Sequence, residues 1–200
     1  MRFVGLDTSF RHTGVVILDD SGALLERYHL KNTALYEPEG YWHWQTEAQG
    51  ILKPGDVVTI EGLSYGSIGR LHVLAGSYAM WLLEAYQKAV RIYIVPPIRV
   101  KKWAVNDVRA KKPKIIAWAK KELGMGKKLK LSEHEADALA LAQIGRAAYS
   151  IQSLDDLSVD VGQPEVVVLP HRQQMLHNSK GDGVTQTLGK SYFEGRNHGR

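Results

Sequence analysis

Three acidic residues of this 200-residue sequence occupy positions where carboxylates could take part in catalysis. Asp7 follows the apolar run Phe-Val-Gly-Leu, Glu61 follows Val-Val-Thr-Ile, and Asp137 lies in the first turns of the most clearly marked helix. An unpaired carboxylate at the end of a buried strand is costly, so acids that converge there indicate a compensating cation. The sequence contains no cysteine, and ligands restricted to oxygen and imidazole favour Mg²⁺ or Mn²⁺.

A histidine accompanies the last of these acids. His134 precedes Asp137 by three residues, so both project from one helix face, where an imidazole would bind metal or position a water. Glu133 is a further candidate on that face. The alternative is that these acids only complement the positive end of the helix dipole. Two Mg²⁺ ions would suit phosphodiester hydrolysis, one activating water and the other stabilising the leaving oxygen. The predicted catalytic and metal-binding residues are Asp7, Glu61, His134 and Asp137.

The periodicity of the chain predicts the elements that must position these residues. Five strands are predicted, over residues 3–7, 15–18, 23–30, 57–60 and 91–95. Four helices are predicted, over residues 38–50, 70–89, 113–123 and 132–149. Asp19-Asp20-Ser21-Gly22 is typical of a hairpin turn, and Ser132 with Glu135 forms a capping box. This order predicts an α/β fold with a mixed sheet, in which strand ends and the last helix converge on one edge.

Length and texture predict one domain over residues 1–150 and a partly disordered extension over residues 151–200. Within the extension, only residues 166–169 are predicted to form a strand. The N-terminal apolar run is too short for a signal peptide, and no apolar segment approaches the length of a membrane span. We therefore expect a cytoplasmic protein with no membrane partner.

Positive charge is concentrated in residues 99–130, where twelve Lys and Arg residues face two acids. Such a segment would neutralise phosphates and give salt-dependent, largely sequence-blind affinity for nucleic acid. The candidate DNA-binding residues are Lys101, Lys102, Arg109, Lys111, Lys112 and Lys114. Either Lys112 or Lys114 could also stabilise charge in the transition state. For Lys120, Lys121 and residues 127–130, a solvated helix face is an equally good interpretation.

The remaining aromatic and imidazole side chains have no spacing that indicates a site. Trp103 and Trp118 are predicted to be core or interface residues rather than platforms for base stacking. Four histidines are predicted to be scattered structural or surface residues, namely His12, His29, His43 and His72.

The segments around Asp7 and Glu61 resemble motifs of the RuvC-type Holliday-junction resolvases, a family of the ribonuclease H-like superfamily. Gly5-Leu6-Asp7-Thr8-Ser9 with Thr13-Gly14 is similar to the first-strand aspartate motif, although Thr8-Ser9 stands where the family has Pro-Gly. Ile60-Glu61, a glycine-containing loop and a long helix are similar to the second motif, whose glutamate binds metal.

Two later segments extend the resemblance, which covers residues 1–149. Residues 96–114 resemble the basic segment that contacts the junction near the scissile phosphate. Residues 133–140, Glu-His-Glu-Ala-Asp-Ala-Leu-Ala, are similar to the terminal motif, in which an Asp or His stands three residues before the last Asp. Tyr65 is the nearest counterpart of an aromatic that stacks at the junction, and Arg70 is added to the candidate DNA-binding residues.

The resemblance implies a mixed five-stranded sheet flanked by helices and the activity of a Mg²⁺-dependent crossover junction endodeoxyribonuclease in DNA recombination and repair. It further implies a homodimer assembled through the helix after Glu61, whose two active sites face one four-way junction and nick it in pairs. No small-molecule cofactor is expected. The altered Thr8-Ser9 motif and the C-terminal extension suggest a divergent member of phage type.

Other functions are compatible with parts of the pattern. An actin-like nucleotide-binding domain also places an Asp and a nearby Gly between two strands, but it needs a second subdomain and a second phosphate loop. A non-catalytic DNA-binding scaffold would not require all the acids. Among nucleases, a ribonuclease H, a proofreading exonuclease and a branched-DNA or flap nuclease remain alternatives.

Overall fold

The computed structural model describes residues 1–63, 71–126, 130–153 and 167–169 of the chain. The strands of this part are β1 (Phe3–Thr8), β2 (His12–Leu18), β3 (Leu24–Lys31), β4 (Val57–Glu61), β5 (Arg91–Val95) and β6 (Val167–Leu169). The helices are α1 (Glu37–Ile51), α2 (Leu71–Lys88), α3 (Pro97–Val105), α4 (Lys112–Glu122) and α5 (Glu133–Ser153).

The strands form one mixed sheet in the order β3-β2-β1-β4-β5-β6. The β1, β2 and β3 strands are antiparallel neighbours, while β1, β4 and β5 run parallel to one another. The prediction of a mixed five-stranded sheet flanked by helices is confirmed. The β6 strand, which lies where residues 166–169 were predicted to form a strand, adds a sixth, antiparallel edge strand beside β5.

Alternation along the strands divides the core into two layers of helix packing, because successive side chains point to opposite faces of a sheet. On one face, Val4 and Leu6 of β1 share a buried cluster with Trp44 of α1 and Trp81 of α2. On the other face, Phe3 belongs to a cluster filled by residues of α3, α4 and α5. Residue 7 has the same parity as residue 3, so this arrangement directs its side chain towards α5.

Local signals place the ends of the elements that carry the site. The capping box is confirmed: the Ser132 hydroxyl accepts from the Glu135 N–H at 3.1 Å, and the Glu135 carboxylate accepts from the Ser132 N–H at 2.8 Å. The hairpin turn before β3 is also confirmed, because the Gly22 N–H donates to the Asp19 carbonyl at 3.0 Å and Gly22 has φ of 87°.

Two sequence predictions of local structure are wrong. Residues 97–105 form α3, whereas the sequence predicted no helix between the strand that ends at residue 95 and the helix that begins at residue 113. Pro96 is extended and Pro97 begins the helix, where a missing N–H is harmless, and Asn106 ends it in the left-handed conformation with φ of 51°. In addition, β2 begins at His12 rather than at residue 15, which lengthens the hairpin with β3.

Several predictions fall outside the described residues. The residues concerned are Tyr65, Arg70, residues 127–129 and most of the extension over residues 151–200. The division of the chain at residue 150 therefore stays a prediction. None of the described helices is long and apolar enough to cross a membrane.

Candidate active site

The first two acids meet at the ends of neighbouring parallel strands. Leu6 of β1 lies beside Ile60 of β4, so Asp7 and Glu61 are the next residues along this parallel pair. Both occupy the face of the sheet that α5 covers, and the interaction with Asp7 is one of the causes that raise the pKa of Glu61. Two interacting carboxylates repel each other, and a bound proton or a bound cation relieves that repulsion.

Helix α5 reaches these acids because two glycines let its backbone lie directly on the sheet. A Cβ at Gly5 would collide with the carbonyl oxygen of Ala138, and one at Gly14 would collide with the carbonyl of His134. Only glycine permits such a close approach of two backbones. Arg27 of β3 also forms an ion pair with Glu135 in the first turn of α5. The sheet thereby fixes the position of His134 and Asp137 near Asp7.

His134 contacts the first acid of the sequence rather than only accompanying the last. Its Nδ1 lies 2.6 Å from Asp7 Oδ2, and this hydrogen bond raises the pKa of His134 against the opposing effect of burial. Its Nε2 lies 3.8 Å from Glu133 Oε1. Asp7 therefore orients the imidazole through Nδ1 and leaves Nε2 as the nitrogen that turns away from Asp7.

The three acids lie close enough to raise the pKa values of two of them. Burial, followed by repulsion from Asp7 and Asp137, raises the pKa of Glu61 to about 9. Burial and the charge of Asp7 raise the pKa of Asp137 to about 7, whereas His134 acts in the opposite direction. We call Asp7, Glu61 and Asp137 the carboxylate cluster. Without a cation, this cluster retains a proton at neutral pH.

The donor chemistry at the carboxylate cluster fits Mg²⁺, since three carboxylates and one imidazole lie together and a cation would relieve the repulsion among the acids. Across the described residues, no three or more His, Asp or Glu side chains stand in a ready-made metal-binding arrangement. Binding would therefore require side-chain rotation, and the assignment of these residues as ligands stays a prediction.

Two lysines of the predicted basic segment approach the carboxylate cluster. Lys101 on α3 lowers the pKa of both Glu61 and Asp137, although burial outweighs it. Lys112 at the start of α4 places Nζ 2.6 Å from Glu133 Oε2, and this contact raises the pKa of Lys112, to which Asp137 and Asp7 contribute further.

The other predicted DNA-binding residues in the described part of the chain show no interaction with the carboxylate cluster. Lys114 pairs with Asp107 at 3.0 Å, which makes it a surface ion pair. Lys102, Arg109 and Lys111 are exposed on the same part of the chain. The role of these four residues in DNA binding stays a prediction.

Comparison with solved structures identifies proteins with a similar fold. No protein-family model matches the sequence, and no curated protein matches it. Among solved structures, RuvC of Thermus thermophilus has a TM-score of 0.62 and 22% identity, covering 76% of this chain and 97% of that chain. The same protein in complex with Holliday junction substrate has a TM-score of 0.62 and 21% identity, covering 76% and 96%. The chain has a RuvC-like fold.

At this level of identity, the likeness shows the RuvC-like fold alone. It confirms the ribonuclease H-like architecture that the sequence motifs implied. The chemistry of the site rests on the geometry of the carboxylate cluster in this chain.

This RuvC-like fold also carries histidines at the site that sequence reasoning missed. The prediction that His12 and His29 are scattered is wrong, because the β2–β3 hairpin brings both rings to His134. His12 stacks on His134 with 5.5 Å between ring centroids and 16° between planes. The missing signal was the true start of β2: only a hairpin that extends to residue 12 pairs this region with His29.

The other aromatic and imidazole predictions have mixed outcomes. Trp118 packs against the core, and His72 is a surface residue 3.5 Å from Glu37, so both predictions are confirmed. His43 packs against Trp44, which confirms a structural role. Trp103 is not a core residue, since it is 47% exposed and donates a hydrogen bond to Gln143 at 3.2 Å, and an interface role stays a prediction. Its position on the surface of amphipathic α3 explains the difference.

Proposed function

We propose that this chain is a Mg²⁺-dependent endonuclease that binds four-way DNA junctions and resolves them by paired nicks. The observation that carries the proposal is the convergence of the carboxylate cluster at the ends of β1 and β4 under α5, with His134 bonded to Asp7. Buried acids that repel one another beside a basic surface suit a cation-assisted reaction on a phosphodiester.

Each residue of the site has a distinct part in this proposal. Asp7, Glu61 and Asp137, with His134 beside them, would hold the Mg²⁺ ions, and Mn²⁺ is a chemically similar substitute. Bound ions of this kind activate an attacking water and stabilise the leaving oxygen. Asp7 holds the His134 ring through Nδ1, so that Nε2 can orient a water or accept a proton. Asp7 is buried and Glu61 and Asp137 are partly buried, which strengthens the electrostatic contacts of the carboxylate cluster.

The basic side chains would bind the backbone of the DNA. Lys101 and Lys112, which interact with the acids, would contact the scissile phosphate. Lys102, Arg109, Lys111 and Lys114 would contact phosphates further along the strands. Lys112 and Lys114 are paired with acids at the protein surface, where ion pairs contribute little, so phosphate can replace the acid.

A four-way junction and a homodimer follow from the same proposal. A related fold has been solved with a Holliday junction bound, which supports branched DNA as the substrate class. Paired nicks on opposing strands need two active centres, and the chain contributes one carboxylate cluster. A second copy of the chain supplies the other centre without any new chemistry.

The deciding experiment compares four substrates with Mg²⁺: a synthetic four-way junction, a flap, a linear duplex and an RNA–DNA hybrid. We expect paired cuts at opposing positions of the junction, at least about tenfold faster than cuts in the other substrates. The Glu61→Gln variant is the matched control for contaminating nucleases. Preferential flap cleavage would replace junction resolution by a general branched-DNA activity, and no cleavage of any substrate would overturn the proposal.

A further inference from the structure

We propose that His12 and His29 form a binding site for a divalent transition ion that prefers imidazole, such as Zn²⁺, Ni²⁺ or Cu²⁺. This pair of side chains, which we call the imidazole pair, is separate from the carboxylate cluster. The inference goes beyond the proposed nuclease function and does not depend on it.

The β2–β3 hairpin places the two histidines on one face. In the antiparallel register, Gly14 lies opposite His29 and His12 lies opposite Lys31, so His12 and His29 are diagonal neighbours. Diagonal side chains on one face of a sheet lie within reach of each other. This is the face that α5 covers, because the backbone of His134 sits directly against Gly14. Both imidazoles therefore emerge at the edge of the sheet beside the first turn of α5.

The ring nitrogens already have the separation that a shared ion requires. His12 Nδ1 and His29 Nε2 lie 3.1 Å apart and face each other as hydrogen-bond partners. If both bound one ion at the roughly 2.1 Å typical of zinc–imidazole bonds, they would subtend an angle of about 95° at the ion. This angle lies between those of square-planar and tetrahedral sites, and both rings would have to rotate so that their nitrogens point at the ion rather than at each other.

The third histidine nearby serves a different site. His134 stacks on His12, but its Nδ1 is bonded to Asp7, which ties it to the carboxylate cluster. Because no three or more His, Asp or Glu side chains in the described ranges form a metal-binding group, water would complete the coordination at the imidazole pair. His29 is exposed and His12 is half-buried, so a hydrated ion can enter from solvent.

The charged groups near the imidazole pair include both signs, so they do not prevent a cation from binding there. Glu133 interacts favourably with positive charge at both imidazoles, whereas Lys31 and His134 oppose it. Ligand type then decides which ion binds. Imidazole nitrogens suit zinc, nickel and copper, whereas magnesium prefers the oxygens of the carboxylate cluster. The two sites therefore favour different metals.

Calorimetric titration of the untagged full-length chain with Ni²⁺, in saturating Mg²⁺ to occupy the carboxylate cluster, tests the inference. We expect His12→Gln and His29→Gln each to weaken Ni²⁺ binding by at least about tenfold, a scale that even indirect changes at metal sites reach. A triple His171→Gln, His177→Gln, His198→Gln variant controls for histidines elsewhere and should keep the site. His72→Gln is a second control, because that histidine is also at the surface.

X-ray absorption of the Ni²⁺-loaded wild-type chain provides a readout that does not depend on the variants folding. Two imidazole ligands per tightly bound ion would support the imidazole pair. Unchanged affinity in His29→Gln, loss of the site in the triple variant, or an oxygen-only spectrum would each overturn it.

Discussion

The carboxylate cluster stands on the ends of β1 and β4 under α5, whereas the basic segment, residues 99–114, lies on the exposed sides of α3, α4 and their connection. Asp7 is only 8% exposed, and burial raises the pKa of Glu61 to about 9. Lys112 and Lys114 are exposed, and each is paired with an acid at the surface. The carboxylate cluster holds its charges in a desolvated place, where charge raises the free energy of the protein. The basic segment holds its charges in solvent, where one ion-pair partner can readily replace another.

This difference assigns catalysis to the carboxylate cluster and affinity for DNA to the basic segment. Charges held in a desolvated site on rigid elements have fixed positions and act strongly on a reacting group. Exposed cations act on phosphates through counterion release, which depends on their number and on the salt concentration. Substitutions in the carboxylate cluster should therefore change turnover, whereas most substitutions in the basic segment should change binding.

The largest expected effect is on cleavage by variants of the carboxylate cluster. Asp7→Asn and Glu61→Gln should each slow Mg²⁺-dependent cleavage of a four-way junction by roughly 10³-fold or more, because each removes a charge from the centre of the site. Junction binding, measured by gel shift without turnover, should stay within about threefold of wild type because the DNA-contacting lysines remain. Normal cutting by either variant would mean that the site is wrongly assigned.

A large effect on stability is expected where α5 lies on the sheet. Gly14→Val should lower the free energy of unfolding by about 1–3 kcal/mol or more, because the new side chain collides with the backbone of His134. Urea denaturation measures this change. The matched control is Gly50→Ala in α1, where a Cβ meets no other atom and should stabilise the helix by about 0.5–1 kcal/mol. Equal stability of Gly14→Val and wild type would contradict the close approach of α5.

Lys112 differs from most of the basic segment, because it interacts with the acids of the site. Its substitution should therefore change turnover rather than only DNA binding. Lys112→Gln should slow the single-turnover cleavage rate by about tenfold or more, because a positive charge near the scissile phosphate is lost. Lys121→Gln, at the exposed end of α4, is the control and should change the rate by less than about twofold. Equal effects of the two substitutions would place Lys112 with the ordinary phosphate contacts.

A further expected effect is a dependence of stability on pH in Mg²⁺-free protein. Glu61 ionises near 4.5 when unfolded, but folding raises its pKa to about 9, and the pKa of Asp137 rises to about 7. The folded state therefore binds more protons, so the melting temperature should fall as pH rises from about 5 to about 9. Mg²⁺ replaces those protons and should offset the fall.

Thermal melts with and without Mg²⁺ measure this dependence, and Glu61→Gln should show a flatter profile because it cannot ionise. A melting temperature that rises with pH in the absence of Mg²⁺ would contradict the crowding of the acids.

Much of this molecule follows from local sequence signals. The strands that carry Asp7 and Glu61 near their ends are apolar runs whose period fixes which face each acid occupies. The capping box of Ser132 and Glu135 fixes the start of α5, and helical spacing then puts His134 and Asp137 on one side of it. These interactions act within a few residues, so a single sequence contains the information that they need.

The tertiary structure decided what depends on register and on close packing. Periodicity does not fix where a hairpin begins, so the pairing of His12 with His29 was visible only once β2 and β3 were aligned. The partner of His134 depends on how closely α5 approaches the sheet, and that distance is set by the absence of side chains at Gly5 and Gly14. The sequence by itself determined which acids end up at one edge of the sheet; only packing decided which side chains touch there.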